Sequence, residues 1–324
     1  MLPRRLALVG LALAALAGVL VLAAGELLTN PTRARAPAVP VGLHAEAVTI
    51  AVPGGAVAGW LAPGQAGKGA VLLLHGIGAS RMQMVGRARF LQAAGYTTLL
   101  IDLPAHGEST GDRVTFGAAE SAAVRESLDF LRRAAPGERL AVVGVSLGAA
   151  SLVLAGAGGA LAAVVIESMY PTISEAVANR LEMHLGRPGR LLAAPLLWQL
   201  SLRLGVSERE LQPIRHLAAL AVPIAVASGT HDQHTTWPET LRLFESAASP
   251  KELWAFAGAA HVDLHRYAPE LYQQRLLAFL ARHVREEDSQ VGREGDSETA
   301  GAPLGEARVD SPRWGAAIEL ARSF

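Results

Sequence analysis

The chain has 324 residues, of which 51% are hydrophobic and 18% charged, so it carries enough apolar material for a full core and cannot be disordered throughout. Lys and Arg together equal Asp and Glu at 29 each, which leaves no overall basic field to draw the chain to nucleic acid. With no cysteine, disulfides, a thiol nucleophile, thiolate-bound zinc and a lipidated cysteine are all excluded.

Arg4 and Arg5 precede an uncharged run of Leu, Ala, Val and Gly over residues 6–25. As a helix rising about 1.5 Å per residue, this run spans roughly 30 Å, the thickness of a bilayer core. Residues 1–28 are therefore expected to be a membrane anchor or a signal peptide, with Ala23-Ala24-Gly25 as the small-residue cleavage site in the second case. In both cases the arginine pair stays cytoplasmic, and the rest lies outside the cytoplasm, tethered or secreted. Residues 29–43, with Pro31 and Pro37, read as a linker.

Alternation of Val48, Ile50 and Val52 before Pro53-Gly54-Gly55 predicts an antiparallel hairpin at a sheet edge. Short all-apolar runs at 70–74, 97–101, 140–143, 162–166, 224–227 and 252–256 then alternate with longer amphipathic stretches. That pattern predicts an α/β architecture, a mostly parallel sheet with helices on both faces, whose polar loops collect at the C-terminal strand ends. It breaks over about 169–206, where two helical stretches, 174–185 and 190–204, are expected to form a small lid. Ser207-Glu208-Arg209-Glu210 has the form of a capping box that starts a return helix. Beyond 284 the composition turns polar and small, and 285–324 reads as a disordered tail in which Trp314 and 318–324 form at most a short helix.

The chemistry is carried by residues at the strand ends. Gly144-Val145-Ser146-Leu147-Gly148 sits between an apolar run and a helical stretch, so Ser146 is expected at the apex of a tight strand-to-helix turn. A serine hydroxyl is a weak nucleophile that needs a base, and the base needs a carboxylate to fix its tautomer. Asp232 follows the run at 224–227 and His261 follows that at 252–256, giving the chain order Ser, Asp, His. Glu167, after the run at 162–166, is the alternative carboxylate, and His231, His234 and His265 are the rival bases. His261 and Asp263 form a His-x-Asp pair, but without further ligand spacing they read as loop residues, so no metal is expected.

Taken with Leu74-His75-Gly76 and Asp102-Leu103-Pro104-Ala105-His106-Gly107-Glu108-Ser109, these motifs resemble the α/β-hydrolase superfamily over about 44–284. Within it, the resemblance is to lidded bacterial esterases and monoacylglycerol-lipase-like serine hydrolases. It implies an α/β-hydrolase fold and an oxyanion hole formed by the amides of Ile77 and Leu147. It also implies structural roles for Asp102 and His106, with His75 propping the oxyanion loop. The expected activity is cleavage of an acyl ester, with a hydrophobic acyl chain or a small carboxylic group, through an acyl-enzyme on Ser146, with a small-molecule acyl substrate and no cofactor. Amide, peptide or thioester hydrolysis would use the same triad, and a membrane-tethered binding protein without turnover is the alternative of another class. The apolar stretch 191–198 can pack within the lid or form an acyl-binding or membrane-facing wall. No charge clamp for an anionic substrate stands out, with Arg187 and Arg190 as the only candidates.

Overall fold

A computed structural model describes residues 2–34 and 38–285. The tail expected from 285, with Trp314 and 318–324, therefore lies outside the described residues beyond Arg285. A long helix α1, Leu2–Thr29, precedes an eight-stranded sheet. Its strands are β1 (Glu46–Val52), β2 (Gly55–Ala62), β3 (Ala70–Leu74), β4 (Thr97–Ile101), β5 (Leu140–Val145), β6 (Ala163–Glu167), β7 (Ile224–Gly229) and β8 (Lys251–Phe256). They lie in the order β8-β7-β6-β5-β3-β4-β2-β1. β2 runs antiparallel to both β1 and β4, and every other pairing is parallel.

The residue pattern explains the layers. In β3, Leu72 and Leu74 enter one core while Val71 and Leu73 enter the other, so a central strand must be apolar at every position. At the edge, β1 turns Ile50 inward, with Val48 and Val52 against the same core, and leaves the intervening residues exposed. Helices α3 (Ala118–Ala134) and α4 (Leu147–Ala155) fill one face with Ala123, Leu128, Leu131 and Leu152. On the other face, α2 (Val85–Ala93) and α8 (Pro269–His283), which follows α7 (Trp237–Ser246) in the chain, contribute Leu91, Tyr272, Leu276 and Phe279.

Helices α5 (Ile173–Leu185) and α6 (Ala193–Leu204) are inserted after β6, joined by a 3-10 segment at Arg187–Leu192. The return helix expected from Ser207 is absent. Glu210 does accept bonds from the Ser207 N–H and hydroxyl, at 2.7 and 2.6 Å, but they close a turn. Gln212, at φ −124° and ψ 73°, stays outside the helical region before Pro213, as a pre-proline residue prefers, so the chain continues as a 3-10 turn, Pro213–His216, and a single helical turn, Leu217–Leu220. The segment expected to be a free linker is also fastened. Thr32 and Arg33 pair in parallel with His106 and Gly107, and the Thr32 N–H donates to the Ala105 carbonyl at 2.8 Å. The two-residue bridge was illegible because neither side has strand periodicity.

Candidate active site

Ser146 lies between β5 and α4 with φ 48° and ψ −108°, a conformation that costs an L-residue about 1–3 kcal/mol. The surrounding backbone enforces it. A Cβ on Gly144 would come 2.7 Å from the Ala149 nitrogen, and one on Gly148 would come 2.7 Å from the His75 carbonyl oxygen. Both glycines thus serve close packing, while the strained angle falls on the serine itself.

Asp232 and His261 sit on the loops after β7 and β8, at the same C-terminal sheet edge as Ser146. The two loops are bound together by the His231 N–H donating to the Ala259 carbonyl at 2.9 Å and the Thr230 N–H donating to Phe256 at 3.1 Å. Gly229 permits this approach, since a side chain there would collide with the Ala259 carbonyl. The buried Asp232 carboxylate accepts from the amides of His234 and Thr235 through Oδ1, at 2.8 and 3.0 Å, and from His261 Nδ1 through Oδ2 at 2.8 Å. This pairing fixes the imidazole with Nε2 as its free basic nitrogen.

The rival residues are committed elsewhere. Glu167 is buried and bound by Arg87, 2.7 Å from Nη2, and by the Tyr272 hydroxyl, so it does not replace Asp232 at His261. His234 stacks on His261 with ring centroids 4.5 Å apart. Burial, then the positive fields of His261 and Arg180, push His234 down to about 4, which keeps it neutral. His231 is exposed on the loop, and His265 packs against Phe90 and Tyr272. Asp263 caps the helical turn Leu264–Tyr267 and pairs with Arg87 at 3.0 Å. Among the described residues, no cluster of three or more His, Asp or Glu could hold a metal.

The loop carrying Ile77 is held by two histidines. His75 Nδ1 donates to the Gly76 carbonyl at 2.7 Å, and its Nε2 accepts from the Leu103 N–H at 2.9 Å. His106 Nδ1 donates to Pro104 at 2.9 Å, and its Nε2 accepts from the Gly78 N–H at 3.2 Å. Asp102 is saturated by the Arg81 amide at 2.7 Å, the Arg81 guanidinium and the Glu108 amide at 2.9 Å. Complete burial, with a smaller push from the positive fields of His106 and Arg81, lowers His75 to about 3.

This lowering sets a pH dependence. His75 and His234 both titrate below their unfolded value of 6.5, so the unfolded chain takes up these protons first as pH falls. Stability should therefore decline from pH 6.5 toward 4, with His75 alone costing about 1.4 kcal/mol per pH unit. Thermal unfolding between pH 7 and 4.5 should show that slope, and His75→Gln should show a shallower one.

Ser146, Ile77 and Leu147 open onto an apolar cavity of about 350 Å³. One stripe of α5, formed by Ile173, Ala176, Val177, Arg180, Leu181 and His184, supplies much of its wall. Arg180 was not singled out from sequence, although the three- and four-residue spacing of this stripe could have revealed it. Burial lowers its pKa, with Tyr170 and Asp232 opposing, and among the described residues it has no ion pair. Arg190 instead pairs with Glu182 at 2.7 Å, and neither Arg187 nor Arg190 reaches the cavity.

Comparison with known proteins agrees with this architecture. The alpha/beta hydrolase family model matches residues 71–292. An uncharacterized Bacillus subtilis protein, YqkD, is 22% identical over 214 residues, covering 65% of this chain and 70% of its own. Among solved structures, the Pyrococcus furiosus esterase Pf2001 superposes with a TM-score of 0.65 at 22% identity, over 79% of this chain and 100% of that one. A thermophilic esterase from Thermogutta terrifontis gives 0.55 at 15% identity, over 73% and 98%. With an eight-stranded sheet of this order and a strained serine at the β5–α4 turn, the chain belongs to the alpha/beta hydrolase family.

Proposed function

We propose that this chain is a serine hydrolase that cleaves esters of hydrophobic acyl groups. The reading rests on the Asp232–His261 hydrogen bond at the same sheet edge as the strained Ser146. The Ser146 hydroxyl attacks the ester carbonyl while His261 Nε2 takes its proton, and Asp232 stabilises the imidazolium that forms. Amides of Ile77 and Leu147 receive the developing oxyanion, and among the described residues neither donates to another backbone carbonyl outside regular elements. His261 returns its proton to the leaving alcohol, then activates the water that hydrolyses the acyl-enzyme. None of these steps calls on a cofactor.

The apolar cavity favours an acyl chain over a polar group, and its volume lies at the small end of the roughly 300–1,000 Å³ typical of ligand sites. Helices α5 and α6 act as the lid over it. Helix α1 anchors the enzyme in a membrane, with the hydrolase domain outside the cytoplasm. Within its segment Leu8–Thr29 an 18-residue window has a mean hydropathy of 2.5 and is almost unburied. The esterases among the structural relatives favour ester over amide or thioester bonds. The intact triad favours turnover over a binding role.

With p-nitrophenyl esters from acetate to laurate, kcat/KM should rise about fourfold per added methylene until the cavity is filled. A flat profile, or faster cleavage of the matching anilides, would overturn the acyl-ester reading.

A further inference from the structure

The end of α1 is built into the substrate cavity. Ala24, Leu27 and Leu28 line the space that holds Ser146, Ile77 and Leu196. These turns are fixed by bonds that a simple tether would not need. The Gln199 amide donates to the Val21 carbonyl at 2.9 Å, and Arg203 Nη2 donates to the Leu22 carbonyl at 2.8 Å. The Glu26 carboxylate pairs with Arg203 and, at 3.0 Å, with Arg113. Arg113 also donates to the Thr29 hydroxyl at 3.0 Å, and the Val114 N–H donates to the Thr29 carbonyl at 2.9 Å. Past the helix, the Thr32–Arg33 bridge and an Arg33 bond to the Gly111 carbonyl at 2.6 Å hold the chain to the domain.

One helix therefore has two environments. Leu8, Val9, Leu11, Leu16, Val19 and Leu20 are exposed, whereas over the last turns Gly25 and Thr29 are buried and Ala24 and Glu26 half-buried, with Leu27 and Leu28 still open to solvent. On α6, Gln199 and Arg203 reach α1, while the neighbouring stripe of Trp198 and Leu202 stays about two-thirds exposed. One residue of offset turns that stripe by about 100°, so it flanks the α1 contact. An exposed tryptophan and leucines beside a bilayer-length apolar helix form a surface suited to the membrane interface.

We propose that α1 is a permanent wall of the acyl site, and that the substrate is a single-chain ester amphiphile taken laterally from the bilayer leaflet that surrounds this helix. This rests on the acyl-ester reading and extends it to the origin of the substrate. The chain that enters along Leu27 and Leu28 exchanges lipid contacts for cavity contacts, with its ester at the polar end beside Ser146. Cleavage at Ala23-Ala24-Gly25 would remove this wall, so the working enzyme retains its N-terminal helix.

The test uses the full chain reconstituted in phosphatidylcholine vesicles and 4-methylumbelliferyl esters from acetate to laurate. Ala24→Trp should lower the laurate-to-acetate ratio of kcat/KM by about tenfold or more, whereas Leu28→Ala should shift the optimum to longer chains. Opposite shifts cannot come from misfolding. Leu20→Trp, on the exposed part of α1, should leave the profile unchanged. Diluting laurate ester with vesicle lipid at constant bulk concentration should slow turnover in proportion to its mole fraction. Unaltered chain preference in both cavity variants, or a rate that follows bulk concentration alone, would overturn this proposal while leaving the esterase reading intact. Wild-type enzyme that cleaves no ester at any length would instead overturn that reading and this proposal with it.

Discussion

Ser146→Ala should reduce kcat/KM for ester hydrolysis by about 10⁴-fold or more, and His261→Ala by a similar factor. In the proposed mechanism the serine forms the acyl-enzyme and His261 accepts its proton, and among the described residues neutral His234 shows no hydrogen-bonded carboxylate partner that would let it take over. Losses of this kind are strongly non-additive, so the double variant should be little worse than either single one. Asp232→Asn should also cost about 10⁴-fold in kcat, because an amide at the Oδ2 position can present an N–H to His261 Nδ1 and select the wrong tautomer. Thermal melting of each variant separates loss of chemistry from loss of structure. Retention of more than about a tenth of wild-type activity in the Ser146 variant would remove it from the mechanism.

The largest structural effect is expected at Arg87. This wholly buried guanidinium pairs with buried Glu167 and with Asp263, bonds the Tyr272 hydroxyl at 2.9 Å, and joins α2, β6, α8 and the loop after His261. Replacing it with leucine leaves the Glu167 charge buried without a cationic partner, which costs about 3–5 kcal/mol. For a domain of this size, such a loss lowers Tm by roughly 10 °C. The double variant Arg87→Leu, Glu167→Gln removes the stranded charge and should recover a substantial part of that loss. Because Asp263 lies two residues from His261, the single variant should also lower kcat. Equal Tm values for wild type and Arg87→Leu would show that the network does not stabilise the fold.

Much of this was legible in sequence because it depends on local pattern. Strands 70–74 and 97–101 were read to the residue, since buried parallel strands are short apolar runs bounded by turn residues. The turn at Ser146 and the order Ser, Asp, His were legible for the same reason. Contacts between distant segments were not. Nothing near Thr32 announces its bridge to His106, and nothing near Arg87 announces that Glu167 lies 2.7 Å away. The role of Ala24, Leu27 and Leu28 was hidden by their own setting, because an apolar residue that lines a cavity cannot be told from its neighbours in an apolar span. The Ser207 capping box misled because its local hydrogen bonds form in a turn as readily as in a helix, and Pro213 decided between them.

The most direct test of the account is covalent labelling of the full-length chain with a fluorophosphonate at neutral pH, with the modified residue located by mass spectrometry. A single adduct on Ser146 is expected, strongly reduced in His261→Ala and absent in Ser146→Ala. Folded wild-type protein that gives no adduct, or an adduct on another serine, would contradict it.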